Sequence, residues 1–468
     1  MGSGERLNVE MNSFSFIAGL AEKKLKGPDG IFTGTFLADS RLVARGDVFV
    51  AFRGEAADGH DFIPDAVKRG AVLVICEDNS RVPEGVPSVK VADTFLSLPA
   101  MAKKRLALHA RPLETVAVTG SVGKTTTREF LSLCLKTYFR VHSAEHSYNT
   151  LIGCSLAILS MPADAEVLLL EMGANHKGEI AEIVSWFPPT VSVITEAAAA
   201  HLEGFGSTEG VLAAKMEIAG SPALRRFFYN GDNRGLRKEA SRMRDGVKKI
   251  SVGACECDYR IISPLFSIER GEPALSFTLA SPGGKTPVKT RAFGKHAAYP
   301  AAFAVSVAME LGVPGEMAAS ALEDARSLQG RGRVLKLDSG AVLIDDSYNA
   351  NPVSMRAALD EAGRTGEGKR FAIVGEMLEL GGGAEDYHRE LIPLFSPFDS
   401  VWLVGKTWER AVPEEVRPQN VRRWTGSLEE LSAEVAAELG DGDLIFVKGS
   451  RGNRLDVVTD RLSGVNAQ

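Results

Sequence analysis

The chain has 468 residues, of which 44% are hydrophobic and 24% charged, and its formal net charge is −6 at pH 7. These values are typical of a globular protein with about three domains, and the negative charge argues against nucleic acid as a partner. No apolar run approaches the roughly 20 residues that cross a bilayer, and residues 1–10 lack the apolar core of a signal peptide. The sequence therefore predicts a cytoplasmic protein without membrane insertion.

The first region, residues 1–108, predicts a small α/β domain. Apolar strands and helical patterns alternate there, at residues 47–52, 64–69, 71–75 and 96–109. Arg111-Pro112 interrupts the last helical pattern before the next strand begins, which places a domain boundary near residue 108.

The second region, residues 109–325, opens with an apolar strand that runs into a glycine-rich loop and then a helix. Gly120 and Gly123 let backbone N–H groups turn toward phosphate oxygens. Lys124 adds a positive charge, and the Thr125 hydroxyl suits Mg²⁺ at a helix N-terminus. An ordinary turn is the alternative, but the flanking strand and helix favour a nucleoside triphosphate site. The residues predicted to bind it here are Gly120, Ser121, Val122, Gly123, Lys124, Thr125 and Thr126.

The rest of this region predicts a doubly wound parallel sheet, because short apolar strands alternate with helical segments. The strands are expected at residues 115–119, 165–172, 191–195, 227–230 and 249–252. From 258 to 293 the alternation changes to period two with turns at 270–272 and 282–284, which predicts an antiparallel ribbon added to the sheet. A helix over 301–311 closes the domain.

The third region, residues 326–468, predicts a Rossmann-like α/β domain. Its apolar strands run into glycine, at residues 342–344, 371–375, 401–405 and 444–449. Loops at the carboxyl ends of such strands bind ligands, so the two sheet domains predict a cleft between them. The polar run Asp345–Pro352 follows the first strand. A helix cap at Asp346 or Ser347 would explain part of this run. Two acids and two asparagines exceed what a cap requires.

Three single residues in the second region are candidates for chemistry. Glu171 ends an apolar strand, where a charge is costly without a partner. Mg²⁺ on ATP is the expected partner, and a structural salt bridge is the alternative. His201 lies in a small-residue turn, and Lys215 lies on the helix after it. Spacing alone does not distinguish either of them from a structural residue.

The five cysteines are sparse and odd in number, which predicts reduced thiols with structural roles. A weaker alternative is a metal site at Cys255 and Cys257, whose thiols would share one face of a strand. The five are Cys76, Cys134, Cys154, Cys255 and Cys257.

Several strings, in order along nearly the whole chain, resemble the Mur ligases of peptidoglycan synthesis. They are Asp39–Arg41, Gly46–Ala51, Asp58–Phe62, Thr119–Thr125, Glu171–Ile180, Ala198–Gly206, Asp345–Asn351, Gly375–Gly381 and Lys448–Arg451. The Glu171–Ile180 and Asp345–Asn351 strings resemble the branch that joins D-alanyl-D-alanine to UDP-N-acetylmuramoyl-tripeptide. An Asp-Asn-Pro-Arg signature, expected of the diaminopimelate-adding relative, is absent from the sequence.

The resemblance implies an ATP-dependent ligase, expected to be a monomer, that works through an acyl phosphate. The first domain would hold the UDP part of the substrate near Ser40 and Arg41. Asn149 and Thr150 would lie beside the nucleotide and acceptor sites. The third domain would close onto ATP with Arg331 and Asp346, and its Asn349 would contact substrate. The alternatives are a relative that adds a different amino acid and a nucleotide-driven switch that does not ligate.

The resemblance also implies a two-Mg²⁺ centre at Thr125, Glu171, His201 and Lys215. His201 resembles the ligand of the second Mg²⁺ ion, and Lys215 resembles a lysine that CO₂ converts to a carbamate. An ammonium beside two Mg²⁺ ions would be repelled, whereas a carbamate is an anion that binds metal.

One departure from the family pattern concerns the nucleotide base. The family reads Gly-x-His-Asn-x-x-Asn before the domain-closing helix, with both amides near adenine. Here Ala297 and Pro300 replace the two asparagines. These two positions predict that adenine is held mainly by stacking and that ATP and GTP differ by roughly tenfold or less in kcat/KM.

Overall fold

A computed structural model describes residues 10–54, 57–144, 148–269 and 271–464. Its N-terminal part is a five-stranded sheet in the order β1-β5-β4-β3-β2, in which only β1 and β5 pair antiparallel. The strands are β1 Leu25–Lys26, β2 Phe36–Leu37, β3 Val48–Val50, β4 Leu73–Cys76 and β5 Ser88–Lys90. The helices are α1 Phe14–Leu20, α2 Ile63–Arg69 and α3 Thr94–Ala107.

The central part is a nine-stranded sheet in the order β14-β13-β12-β11-β10-β9-β6-β8-β7. Its parallel strands are β6 Glu114–Thr119, β7 Val141–Ser143, β8 Val167–Glu171, β9 Val191–Ile194, β10 Arg226–Asn230 and β11 Lys248–Gly253. The strands β12 Tyr259–Glu269, β13 Glu272–Ser281 and β14 Gly284–Thr290 extend it as an antiparallel ribbon. The doubly wound sheet and its ribbon are therefore confirmed.

Helices cover both faces of this sheet, so its central strands β8 and β9 are buried along their whole length and are rich in Val, Leu and Ile. They are α4 Lys124–Lys136, α5 Leu151–Leu159, α6 Glu179–Trp186, α7 Leu202–Phe205, α8 Thr208–Met216, α9 Arg234–Ser241, α10 Ala298–Glu310 and α11 Gly315–Ser320.

The C-terminal part is a six-stranded sheet in the order β15-β16-β20-β17-β18-β19. Its strands are β15 Arg333–Lys336, β16 Val342–Asp346, β17 Arg370–Gly375, β18 Ser400–Val404, β19 Val421–Trp424 and β20 Leu444–Lys448. Only β15 is antiparallel to its neighbour. The helices are α12 Pro352–Ala362, α13 Ala384–Arg389, α14 Thr407–Ala411, α15 Leu428–Glu438 and α16 Asp456–Leu462.

One apolar core joins the N-terminal and central parts across the boundary predicted near residue 108. Phe14 on α1 and Leu98 on α3 belong to the same buried cluster as Leu156 on α5. The fully buried Arg105 ties the parts together, because its guanidinium donates to the carbonyl of Met11 at 2.8 Å and to that of Met161 at 2.7 Å. The first two regions thus share one hydrophobic interior.

The structure corrects three sequence-based expectations and leaves two outside its range. Cys255 and Cys257 lie in a bend between β11 and β12, not on one face of a strand. Helix α12 is capped by Asn351 rather than by Asp346 or Ser347, and the strands β1, β2, β5, β7, β15 and β19 were not predicted. Residues 1–9, on which most of the signal-peptide argument rests, and residue 270 of one predicted turn lie outside the described residues. Among the helices described, none is long and apolar enough to cross a membrane.

Candidate functional site

The loop between β6 and α4 forms a cradle whose backbone requires glycine. Gly120 has φ +149°, and a Cβ there would lie 2.0 Å from Thr195 Oγ1 and 3.0 Å from the backbone nitrogen of Glu196. Gly123 has φ +81° and occupies the N-cap of α4. Because α4 begins at Lys124, its free N–H groups and its positive dipole end meet at the loop, which favours an anion.

The Lys124 side chain folds back over this cradle. Its Nζ donates a hydrogen bond to the carbonyl oxygen of Gly120 at 2.8 Å. Burial lowers the pKa of Lys124, and the nearby carboxylate of Glu171 opposes that lowering. The lysine therefore lies between the phosphate cradle and the acid at the end of the neighbouring strand.

A cleft of about 870 Å³ lies between the carboxyl ends of the central and C-terminal sheets. Most of the residues predicted from the sequence line it, namely Ser121, Val122, Gly123, Lys124, Thr125, Thr126, Asn149, Thr150, Glu171, His201, Arg331, Asp346 and Asn349. Four predicted residues do not line it: Gly120, Lys215, Ser40 and Arg41. The cleft predicted between the two sheet domains is present.

Glu171 is a buried carboxylate at the end of β8, with a free acceptor. Its Oε1 accepts a long hydrogen bond of 3.4 Å from Asn149 Nδ2. Its Oε2 has no hydrogen-bond donor among the described residues, and Arg128 Nε lies 3.9 Å away. A buried oxygen with this little compensation fits a position that faces a cation. The structural salt bridge considered as the alternative is present only as this long contact.

His201 lies at the N-cap of α7, where its backbone adopts a left-handed conformation with φ +52°. Its Nδ1 pairs with the carboxylate of Glu379, which belongs to the C-terminal part and is itself left-handed with φ +63°. Burial lowers the pKa of His201, while the contact with Glu379 raises it. Two residues in unfavourable backbone conformations thus meet across the interface at the mouth of the cleft.

Lys215 lies on α8 with only 2% of its surface exposed. Burial lowers its pKa to about 7, and the positive charge of Lys124 contributes further. Its Nζ lies 5.3 Å from the centre of the Phe205 ring, and no carboxylate of the described residues forms an ion pair with it. A substantial fraction of this amine is therefore uncharged near neutral pH.

The C-terminal side of the cleft is formed by charged residues at the ends of β16 and β20. Lys448 Nζ contacts Asp346 Oδ2 at 2.6 Å and donates to the carbonyl oxygen of Asn349 at 3.0 Å. Burial raises the pKa of Asp346 despite this lysine. The Arg331 guanidinium stacks over the ring of Tyr348 at 4.1 Å, which fixes it at the edge of the cleft.

The residues of the site that were not singled out from the sequence include Glu379, Lys448, Tyr348 and Asn351. Asn351 caps α12 in a reciprocal capping box with Ser354, and its Nδ2 donates to the carbonyl of Ser121 in the phosphate loop at 3.3 Å. These residues all lie in strings quoted above, so the strings were the only available signal. Their partners lie far away in sequence, which hides the contacts.

The two predicted uridine-site residues lie in the connection between β2 and β3 of the N-terminal sheet. Ser40 begins a short 3₁₀ turn, Ser40–Leu42, and is buried. Arg41 is largely exposed and pairs with Asp39 at 2.6 Å. Asp39 also accepts the backbone N–H of Arg41 at 3.0 Å, which fixes the turn. An exposed guanidinium on a fixed turn is available to an anionic ligand.

Three family models match consecutive parts of the chain: the Mur ligase family catalytic domain at residues 36–112, the Mur ligase middle domain at 118–308, and the Mur ligase glutamate ligase domain at 330–451.

The curated relatives include UDP-N-acetylmuramoyl-tripeptide–D-alanyl-D-alanine ligases. That of Bacillus subtilis is 32% identical over 432 residues, covering 91% of this chain and 92% of the relative. That of Escherichia coli is 31% identical over 403 residues, covering 84% and 86%. Among solved structures, MurF from Acinetobacter baumannii has a TM-score of 0.79 at 26% identity, covering 96% of this chain and 98% of that one. MurF ligase from Thermotoga maritima in complex with ADP has a TM-score of 0.76 at 28% identity, covering 92% and 98%.

Proposed function

Because the chain belongs to the Mur ligase family, we propose that it joins D-alanyl-D-alanine to UDP-N-acetylmuramoyl-tripeptide with ATP as the energy source. One observation carries the proposal. The phosphate loop, the acid Glu171 and the C-terminal residues Arg331 and Asp346 all line a single cleft. A site that must bring a carboxylate, a triphosphate and an amine together requires such a meeting of two domains.

The reaction proceeds in two transfers. A carboxylate resists attack by an amine because oxide is a poor leaving group. The terminal phosphoryl group of ATP therefore moves first to the tripeptide carboxylate, which gives an acyl phosphate and ADP. The amine of D-alanyl-D-alanine then attacks the acyl carbon, phosphate leaves, and the ammonium proton is released. Both transfers bring anions together, so electrostatic stabilisation is the main contribution of the protein.

The chain supplies several of the charges that this reaction needs. Lys124, held over the cradle, neutralises the phosphates, and the backbone N–H groups at the start of α4 bind their oxygens. Arg331 lines the cleft on the C-terminal side, where its guanidinium stacks on the ring of Tyr348. Asn149 and Thr150, beside Glu171 in the cleft, are proposed to contact the nucleotide and the acceptor, and Asn349 to contact substrate.

Two Mg²⁺ ions are proposed to bind at Thr125, Glu171, His201 and a carbamate on Lys215. The free Oε2 of Glu171 fits such an ion, as a hard oxygen ligand with no donor among the described residues. When bound, Mg²⁺ supplies positive charge that neutralises the phosphate oxygens during transfer. For His201 to bind Mg²⁺, either its Nδ1 must leave Glu379 or its Nε2 must serve as the ligand.

A carbamate on Lys215 is consistent with its surroundings. The uncharged amine attacks CO₂, a C–N bond forms, and one proton is released to give the anion. The lowered pKa of about 7 supplies the uncharged amine, and the anion would relieve the positive charge of Lys124 nearby.

The proposed uridine site on the N-terminal sheet uses Ser40 and the exposed guanidinium of Arg41. In the full-length protein, UDP-N-acetylmuramoyl-tripeptide should slow amide hydrogen exchange at residues 40 and 41. Protection confined to residues beyond 108 would contradict this placement. The protein is further proposed to act as a monomer in the cytoplasm, which sedimentation and cell fractionation test.

The decisive experiment measures ADP release with each substrate omitted in turn. Release that requires both UDP-tripeptide and D-alanyl-D-alanine supports the proposed ligase, and mass spectrometry of the product identifies the new amide. Demand for a different amine would identify another member of the family. Hydrolysis without either substrate would indicate a nucleotide-driven switch and would overturn the proposal.

A further inference from the structure

Glu196 is a carboxylate in the nucleotide cleft that the proposed reaction does not use. It lies two residues after the end of β9 and lines the cleft on the side of β10, whereas Glu171 lies across β6 at the end of β8. Its backbone carbonyl accepts the N–H of Ser121 at 2.8 Å, so its position is tied to the phosphate loop. The two acids therefore flank the cradle on opposite sides.

The Glu196 side chain is held by neutral donors. Asn230 Nδ2 donates to its Oε2 at 2.8 Å, while Asn233 Nδ2 and the backbone N–H of Ala197 donate to its Oε1. Asn233 is fixed in turn, because it caps α9 by accepting the N–H of Leu236 at 3.0 Å. A carboxylate has about four acceptor positions, so one remains on Oε2 after these three bonds.

No lysine or arginine among the described residues forms an ion pair with Glu196, although the side chain is half-buried. A carboxylate fixed by amides and left without a cation is prepared to accept a hydrogen bond from a ligand. Its location next to the phosphate loop makes a bound nucleotide the nearest source of that donor.

Apart from the buried Nδ1 of His296, which has no hydrogen-bond partner among the described residues, the surrounding wall offers few groups that could read a base. Ala297 and Pro300 line the cleft and offer no side-chain donor or acceptor. The Tyr299 hydroxyl is engaged, since it donates to Asp232 Oδ2 at 2.7 Å. Asp232 is engaged as well, because it accepts the backbone N–H groups of residues 254 and 255 at 2.7 and 2.8 Å. Glu196 thus supplies a free, fixed acceptor at this end of the cleft.

We propose that the Glu196 carboxylate accepts a hydrogen bond from the 6-amino group of adenine and so selects adenine over guanine and hypoxanthine, which carry a carbonyl oxygen at that position. Adenine presents an N–H donor at this edge, whereas guanine and hypoxanthine present a carbonyl oxygen. Two acceptors facing each other in a partly dry site repel, and neither is satisfied. This inference rests on the proposed use of ATP, and it deepens that proposal by naming the residue that determines base specificity.

A hydrogen bond from the base to Glu196 increases the preference that we expect for ATP over ITP. Ala297 and Pro300 alone predict a ratio of tenfold or less, because they leave only stacking. A hydrogen bond to a charged acceptor increases the preference for ATP over ITP to roughly 10- to 100-fold.

The test measures nucleotide binding by calorimetry without acceptor substrates, using ATP, GTP, ITP and 2′-deoxy-ATP. The unaltered protein should bind ATP roughly 10- to 100-fold more tightly than ITP. Glu196→Gln presents an amide that can donate to a carbonyl, so its ATP/ITP ratio should fall to about one or reverse. The matched control is Glu239→Gln on α9, which alters a carboxylate paired with Arg242 outside the cleft and should retain the ratio.

Two outcomes overturn the inference: an ATP/ITP ratio below about threefold in the unaltered protein, or an unchanged ratio in Glu196→Gln. If Glu196→Gln instead changes the ratio of ATP to 2′-deoxy-ATP, the carboxylate contacts the ribose and the inference is also wrong. Should this variant fail to fold, Glu196→Asp, which withdraws the carboxylate by one methylene, provides the same comparison. Because no acceptor is present, these results are independent of whether the protein ligates D-alanyl-D-alanine.

Discussion

Carbamate formation at Lys215 gives the proposed reaction a dependence on CO₂ whose pH profile follows from burial. With the pKa lowered from 10.5 to about 7, half of the amine is uncharged at pH 7. A lysine with the ordinary pKa is uncharged in only about 1 molecule in 3,000 at that pH. Burial therefore raises the concentration of the reactive amine by about 1,500-fold.

To test this dependence, CO₂ is removed from the protein and buffer and is then returned at a fixed dissolved concentration. Because the pKa is lowered, the amine loses its proton as pH rises through about 7. The initial rate of carbamate formation should rise about tenfold per pH unit below 7 and level off above it. The recovery of ligation activity over time measures the rate of carbamate formation. ¹³C NMR with labelled bicarbonate measures the amount of carbamate independently of activity.

Two variants show which lysine gives the ¹³C NMR signal of the carbamate. Lys215→Ala should not form the carbamate. Replacement of the exposed Lys177 by alanine should leave the rate of carbamate formation and its dependence on pH unchanged. A rate that continues to rise to pH 9 or beyond would show that the reacting lysine has an ordinary pKa. Full activity in CO₂-free buffer would refute the role of the carbamate altogether.

Three further predictions concern residues around the cleft. Lys124→Ala and Glu171→Gln should each abolish ligation and leave circular dichroism unchanged, and near-normal turnover in either would contradict the proposed ATP site. Asn351→Ala and Ser427→Ala each remove a capping box and should each cost about 1 kcal/mol in urea unfolding. Only Asn351→Ala should also lower kcat, because only Asn351 contacts the phosphate loop, and equal kcat values would refute that role. Lys215→Ala should regain ligation with small carboxylates, and rescue by simple amines instead would show that the lysine acts as a cation.

The sequence was sufficient wherever local pattern determines structure. The cradle was predictable because strand, glycines and helix are contiguous and because Gly120 and Gly123 require conformations that other residues avoid. The doubly wound sheet followed in the same way from alternating strands and helices. Period-two alternation similarly located the antiparallel ribbon β12 to β14.

Contacts between distant segments were not predictable by these means. Nothing near Glu196 indicates that Asn230 and Asn233 will hold its carboxylate, because their pairing depends on β9 and β10 being neighbours. The strand β19 is too short and too charged, with Arg422 and Arg423, to stand out as apolar. The cap of α12 was misplaced because several polar residues precede it and only the folded turn selects Asn351.

The hydrophobic interior shared by α1, α3 and α5 bears on how such a protein can change over generations. An N-terminal sheet exchanged from a relative would arrive with side chains shaped for a different α5, leaving voids around Leu98 and Leu156 and an unmatched partner for Arg105. The C-terminal sheet meets the rest through Phe293, which belongs to the C-terminal core, and through polar pairs such as His201 with Glu379, which are replaced one at a time. Recombination between relatives should therefore destabilise the fold less at the joint near residue 326 than at the joint near residue 108.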